Sequence, residues 1–133
     1  MKVRDVMVRD VATLNLEDEL SLANDIIQLG RIRHLPVVEG KKLVGIISER
    51  DLFRSSLAQA LGYGTRATRD LMKTIRIKDI MVTDLVTISP DEELKVAVRK
   101  MLDKKIGCLP VVQEEELIGL ITETDVLSQY LKN

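Results

Sequence analysis

The stretch HLPVVEGKKLVGIISERD, His34 to Asp51, is written again as CLPVVQEEELIGLITETD, Cys108 to Asp125, 74 residues further along a chain of 133. Leu35-Pro36-Val37-Val38 and Leu43 to Ile47 have the β-branched content of paired strands. Glu39-Gly40-Lys41-Lys42 between them predicts a hairpin with a four-residue turn. The phrase that follows, a glycine, two apolar residues, a hydroxyl and an aspartate three positions on, predicts a strand that ends where a helix begins. That last helix starts near Glu49 in one copy and Glu123 in the other.

Working outward, the same offset holds without a gap from Val3–Leu57 over Ile77–Leu131, so that DVMVRDVATL lies over DIMVTDLVTI. Two copies are too few for an open solenoid, in which each unit buries its face only on its neighbours, so a closed pseudo-twofold pair is expected. Val11-Ala12-Thr13-Leu14 and Leu85-Val86-Thr87-Ile88 predict an opening strand, weaker in the first copy because alanine is depleted in strands. Ser89, Pro90 and Glu92 then read as N-cap, first helical residue and capping-box acid, and Asn15 with Glu17 and Asp18 repeats the signal less completely. Leu20, Ala23 and Ile27, and Leu94, Val98, Met101 and Leu102, have the spacing of a buried helical face. The fold class is therefore mixed α+β, each copy ordered strand, helix, strand, strand, helix. Gly62 and Gly64 interrupt the final helix of the first copy, which divides the chain into a first repeat 1–61, a linker 62–74 and a second repeat 75–133. The linker carries Arg66, Arg69, Lys73 and Arg76 against Asp70. Such an excess is a solvated face in its plain reading and an anion contact in its sharper one.

Composition closes off several function classes. Apolar residues are 45% and charged residues 31% of the chain, with 20 basic against 21 acidic side chains, which is globular and exerts no general pull on nucleic acid or anionic lipid. One cysteine, Cys108, and one histidine, His34, provide neither an internal disulfide nor a zinc cluster, and point to a reducing, cytoplasmic setting. No apolar run approaches the roughly 18 residues of a membrane helix, and the N-terminus lacks an export signal. Walker, dinucleotide-binding and nucleophile–base patterns are absent, so no enzyme is expected.

The doubled unit, with its D-apolar-M turn, LPVV and Gly-apolar-apolar-Ser/Thr-x-x-Asp, resembles a tandem pair of CBS domains, a Bateman module. That resemblance implies two β-α-β-β-α units packed around a pseudo-twofold axis, with clefts that take adenosine-containing ligands and regulate something else. It gives Asp51 and Asp125 the ribose, since a carboxylate accepts both hydrogens of a vicinal diol. Ser48 and Thr122 can cap the helix that follows or reach a phosphate at its N-terminus. Arg33, His34, Arg50 and Arg54 are the candidate phosphate cations, and only the first copy has cations before the proline, where the second has Gly107 and Cys108. The resemblance accordingly pairs Arg33 and His34 with Asp125 and Thr122 in the stronger site. The adenine pocket it implies is aliphatic: Ala12, Thr13, Leu14, Val37 and Ile46, with Val86, Thr87, Ile88, Val111 and Leu120.

No obligatory cofactor is expected; the ligand is regulatory, AMP first, with ADP, ATP and S-adenosylmethionine compatible. The module is expected to stand alone, to form a homodimer and to act on an effector protein in trans. Two rivals remain open: a ligand-free dimerisation scaffold, and a nucleic-acid regulator using the basic linker. Aromatic residues at 2% count against the second, because single strands are held largely by stacking.

Overall fold

A computed structural model describes residues 1–50, 52 and 65–132, which divide into two compact units. Unit 1 gathers Met1–Val11, Lys41–Leu43 and Val86–Asn133, and unit 2 gathers Ala12–Gly40 and Val44–Leu85. Each unit thus holds one repeat together with the opening residues of the other.

In unit 2 a two-residue strand β1 (Leu14–Asn15) lies parallel to β2 (His34–Glu39), with Leu14 opposite Val37 and Asn15 opposite Val38. Helix α1 (Leu20–Gly30) buries Leu20, Ala23 and Ile27, the face its spacing foretells. It closes on Arg31 in the left-handed conformation. Strand β3 (Lys42–Ser48) follows β2, and helix α2 (Thr65–Met72) packs beside α1. The core joins Leu14, Leu20, Ala23, Ile27, Leu35, Val37, Ile47, Leu52, Met72 and Ile77.

Unit 1 repeats the plan. Helix α3 (Leu94–Lys104) closes on Lys105, again left-handed, and strands β4 (Cys108–Gln113) and β5 (Glu116–Thr122) pair antiparallel before helix α4 (Glu123–Lys132). Its core joins Val3, Met7, Ile88, Ala97, Met101, Leu109, Val111 and Ile121. Val3 and Met7 belong to the first repeat by sequence and complete the core of the second. Ile77 completes the core of unit 2 in the same way.

Backbone pairing shows how this exchange is held. Val8 and Leu120 donate N–H to each other's carbonyls at 2.8 and 2.9 Å, and the equivalent Val82 and Ile46 do so at 3.0 Å each. At the other end of each lead-in, Lys2 bridges Glu93 and Arg76 bridges Glu19.

The exchange corrects the helix starts expected from sequence. Helices α1 and α3 begin after Glu19 and Glu93, with no side-chain cap. The carbonyls of Ile75 and Met1 instead accept from the Leu20 and Leu94 N–H groups, both at 2.9 Å, so backbone does the work of a cap. Ser89 and Asn15 mark only the turns before them: the Ser89 hydroxyl accepts from Asp91 N–H, and the Asn15 N–H donates to Asp18. Three smaller expectations also change. The first strand is two residues long in one copy and a single Ile88–Val111 bridge in the other. The hairpin turns span two residues, Gly40-Lys41 and Glu114-Glu115. Ala97 is buried where Leu102, 71% exposed, was expected.

The basic excess around α2 is largely met within unit 2. Arg69 lies 3.6 Å from Asp25, Arg76 3.9 Å from Glu19, and Lys73 3.8 Å from Asp70. Gly62 and Gly64 lie outside the described residues. No described helix is long and apolar enough to cross a membrane.

Candidate functional site

The second copy of the repeated phrase builds a closed set of bonds where β5 becomes α4. Asp125 Oδ2 accepts the Thr122 N–H at 2.8 Å and the Thr122 hydroxyl at 2.9 Å, while the same hydroxyl oxygen accepts Asp125 N–H at 3.3 Å. Thr122 is therefore an N-cap and Asp125 its reciprocal partner three residues on, so the plain helix-start reading of T-x-x-D is satisfied. Capping occupies one carboxylate oxygen. Asp125 Oδ1 accepts no hydrogen bond among the described residues, and both side chains are half-buried rather than sealed.

Backbone geometry at the two junctions is equivalent. Glu123 N–H donates to the Gly107 carbonyl at 2.9 Å, and Glu49 N–H to the Arg33 carbonyl at 2.8 Å. This bond brings Arg33 and His34, at the start of β2, beside Ser48, Glu49 and Arg50 in unit 2. Arg33 and Arg50 are exposed, and His34 and Ser48 are half-buried and each has an interaction partner. The second junction replaces this cationic surround with Gly107 and Cys108 facing Glu123 and Asp125. A Cβ on Gly107 would lie 2.9 Å from the Glu123 carboxylate oxygen. The expected pairing of Arg33 and His34 with Thr122 and Asp125 joins residues that belong to different units. Asp51 and Arg54 lie outside the described residues.

The residues expected around an adenine divide into two groups. Leu14, Val37, Ile88 and Val111 are at most 3% exposed and packed into the two cores. Ala12 and Thr13 are exposed, Ile46, Val86 and Thr87 half-buried, and Leu120 buried outside the core cluster. Val86 packs against the unit 1 core. Alternation along β3 and β5 accounts for Ile46 and Leu120: Ile47 and Ile121 point into the cores, so Ile46 with Ser48, and Leu120 with Thr122, occupy the opposite face.

The glycine of the phrase has a different role from the one its flexibility suggests. Without a Cβ, a glycine in a strand leaves room for a ligand or another segment to approach the backbone. At Gly45 that space is filled by Met81, and at Gly119 by the Val8 carbonyl and Met7. Met7, Val8, Met81 and Val82 were missing from the sequence-based site, although DVMV and DIMV at the constant offset carried the signal.

Among the ionisable groups, burial and the nearby Asp125 charge push the Cys108 thiol up to about 12, so it is no nucleophile. Lys78, whose Nζ donates to Glu17 at 2.8 Å, holds the Glu17 carboxyl below its ordinary range, and Glu17 raises Lys78 in return. The described residues contain no grouping of three His, Cys, Asp or Glu side chains that could hold a metal.

Comparison with known proteins agrees with this duplicated plan. The family model for the CBS domain matches residues 3–58 and 77–132. The chain is 35% identical over 126 residues to the inosine-5′-monophosphate dehydrogenase of Korarchaeum cryptofilum, covering 94% of the chain and 23% of the enzyme. It is 30% identical to the homoserine O-acetyltransferase of Methanohalobium evestigatum, again over 93% of the chain and 23% of the enzyme. The chain thus spans about a quarter of these curated relatives, and the likeness says nothing of their catalytic parts. Among solved structures, the CBS domain pair of protein MJ0100, in complex with 5′-methylthioadenosine and S-adenosyl-L-methionine, has a TM-score of 0.81 at 27% identity, covering 99% of this chain and 97% of that one. CBSX2 in complex with AMP has a TM-score of 0.81 at 25% identity, covering 98% and 96%.

Proposed function

Because the chain belongs to the CBS domain family, as two domains in tandem, we propose that it is a regulatory module whose ligand is an adenosine-containing molecule, AMP foremost, with ADP, ATP and S-adenosylmethionine as further candidates. The observation that carries this reading is the Thr122–Asp125 junction. Its cap bonds use one oxygen of Asp125 and leave the other without a hydrogen bond among the described residues, on the face shared by Leu120. In this reading Asp125 takes the ribose hydroxyls, and Asp51 does the same in the first repeat. Arg33, His34, Arg50 and Arg54 meet phosphate, with Ser48 and Thr122 as hydroxyl donors. Ala12, Thr13, Ile46, Val86, Thr87 and Leu120 face the adenine, backed by Leu14, Val37, Ile88 and Val111. The ligands held by MJ0100 and CBSX2 support the chemical class.

The output is a linkage effect: a ligand that prefers one arrangement of the protein shifts the population towards it, by no more than its differential affinity. A partner then reads that shift. Leu127, Tyr130 and Leu131 on α4 are 63%, 76% and 83% exposed, an apolar surface suited to a homodimer.

Thermal shift with AMP, ADP, ATP and S-adenosylmethionine tests the reading, since ligand at a hundred times its dissociation constant stabilises by roughly 2.7 kcal/mol. A flat response to all four favours the scaffold instead. Calorimetry with AMP is expected to show Asp125→Ala weakening binding more than Asp51→Ala. A double-mutant cycle of Asp125→Ala with Arg33→Ala reports whether one nucleotide meets both residues.

A further inference from the structure

Burial separates one of the chain's 5 methionines from the rest. Met7, Met72 and Met101 are buried members of the two cores, and Met1 is 56% exposed, so its side chain packs little. Met81 alone is half-buried and still packed against a core, that of unit 2. Its equivalent 74 residues earlier, Met7, is sealed. The Met81 side chain lies along β3 at Gly45, where an added Cβ would be 2.5 Å from Sδ and 2.9 Å from Cγ. The flank of the sulfur that faces β3 therefore has no room for a further atom.

The neighbouring residues make this contact a fastening. Val82 exchanges both backbone hydrogen bonds with Ile46, the residue after Gly45, at 3.0 Å each. A second fastening lies upstream in the same lead-in. There Ile77 N–H donates to the Asp18 carbonyl at 2.9 Å, Lys78 N–H to the Leu16 carbonyl at 3.1 Å, and Lys78 Nζ to Glu17. The upstream fastening is made of hydrogen bonds and an ion pair, whereas the one at β3 includes a thioether that solvent reaches in part.

We infer that Met81 is an oxidation site, and that its sulfoxide releases the end of the unit 2 lead-in from β3 while the upstream fastening stays closed. The oxidant is hydrogen peroxide. A sulfur lone pair attacks one peroxide oxygen, and the S–O bond forms as the O–O bond breaks. The transferred hydroxyl then gives its proton to the departing hydroxide, which leaves as water. Sulfur loses two electrons and the peroxide gains them. The product is polar and chiral, and it exchanges packing against the core for contact with water. With the flank at Gly45 filled, it cannot turn in place, so the side chain swings off β3 and opens the Val82–Ile46 pair to solvent. Burial keeps Met7 out of the reaction, which confines the response to one repeat. The buried Cys108 thiol offers no exposed competitor. This inference stands independently of the adenosine reading.

Peroxide treatment of the full chain, followed by peptide mass spectrometry and hydrogen exchange, tests it. Met81 is expected to oxidise about tenfold faster than Met7, Met72 and Met101, because reactivity follows exposure. Exchange of the Ile46 and Val82 amides is expected to rise about tenfold in the oxidised chain, a local opening that leaves Ile77 and Lys78 protected. Met81→Leu, a swap of nearly constant volume, is expected to abolish the response of these amides to peroxide. Met81→Gln, polar and of similar length, is expected to speed the same two amides with no peroxide present. Protection of Met81 equal to that of Met7 overturns the inference, and so does a Met81 sulfoxide with Ile46 and Val82 still slow to exchange. A response that survives in Met81→Leu assigns the change to another residue, and one that spreads to Ile77 and β2 assigns it to general unfolding; either overturns the inference.

Discussion

Met81 Sδ lies against the backbone of Gly45 so closely that a Cβ added there would be 2.5 Å from the sulfur. At the equivalent Gly119 the obstacle is backbone: the Val8 carbonyl oxygen would be 2.6 Å from the new carbon. A methionine can swing away at modest cost, and a backbone carbonyl held by the Leu120 N–H, in a residue whose own N–H is paired as well, cannot. Gly119→Ala is therefore expected to cost about 3 kcal/mol and Gly45→Ala nearer 1 kcal/mol, the two ends of the range for overpacking. Chemical denaturation of both variants checks the order, and Met81→Ala should partly rescue Gly45→Ala alone.

The exchange of lead-ins predicts a displaced effect of truncation. Removing residues 1–8 takes Val3 and Met7 from the core of unit 1, together with the carbonyl of Met1 that accepts from Leu94 N–H. Hydrogen exchange should then speed at Leu94 and Leu120, in the second repeat. The amides of β2 in the first repeat should keep their protection. Faster exchange in β2 with β5 unaffected would show that the lead-in serves its own repeat.

That exchange marks the limit of what the sequence discloses. The hairpins are legible because β-branched runs on either side of a turn leave one pairing, and the Thr122–Asp125 junction because its spacing alone brings hydroxyl and carboxylate together. Val8, by contrast, faces two nearly identical partners, GIIS around Ile46 and GLIT around Leu120. Local propensity is the same for either, and the choice depends on long-range packing. The helix starts fail for a related reason: Ser89 and Asn15 carry the right cap chemistry, but a backbone carbonyl from a distant segment outcompetes them for the first helical N–H groups. Which of the apolar strand residues enter the cores was only half legible. Periodicity identifies apolar strands, while the face each residue takes decides between the core and the opposite side, and that awaited the observed positions of Ile47 and Ile121.

The second hairpin turn carries avoidable backbone strain. Glu114 and Glu115 both have positive φ, 53° and 70°, whereas the first hairpin turn has positive φ only at Gly40, 65°. Two successive positive φ values suit Asn-Gly, and a glutamate there is held in a sparsely populated conformation. Glu115→Gly is expected to stabilise the protein by about 0.5 kcal/mol or more, since relieved strain outweighs the added freedom of the unfolded chain. The Lys42–Glu115 ion pair it removes is 3.9 Å long and largely exposed, so its loss weighs little. Thermal melting of Glu115→Gly and of Glu114→Asn with Glu115→Gly checks the sign; a lower melting temperature would mean that the glutamates do more than turn the chain.

Alkaline stability should depend on Cys108. Its thiol, buried in β4 and facing the Asp125 charge, has a folded-state pKa raised from the ordinary 9.0 to about 12. Below pH 9 the thiol is neutral folded and unfolded, and it has no effect on the pH dependence. Between pH 9 and 12 the unfolded chain releases the proton while the folded chain keeps it, so stability falls by about 1.4 kcal/mol per pH unit from this group alone. Cys108→Ala removes that slope, at the constant cost of a small cavity. Denaturant midpoints measured for both proteins from pH 8 to pH 10 should therefore converge as pH rises, and a constant gap would show that the thiolate is accommodated in the fold. Lys78, raised by Glu17, adds stability that is complete below its unfolded value of 10.5 and lost only above it, so it leaves this window to the cysteine.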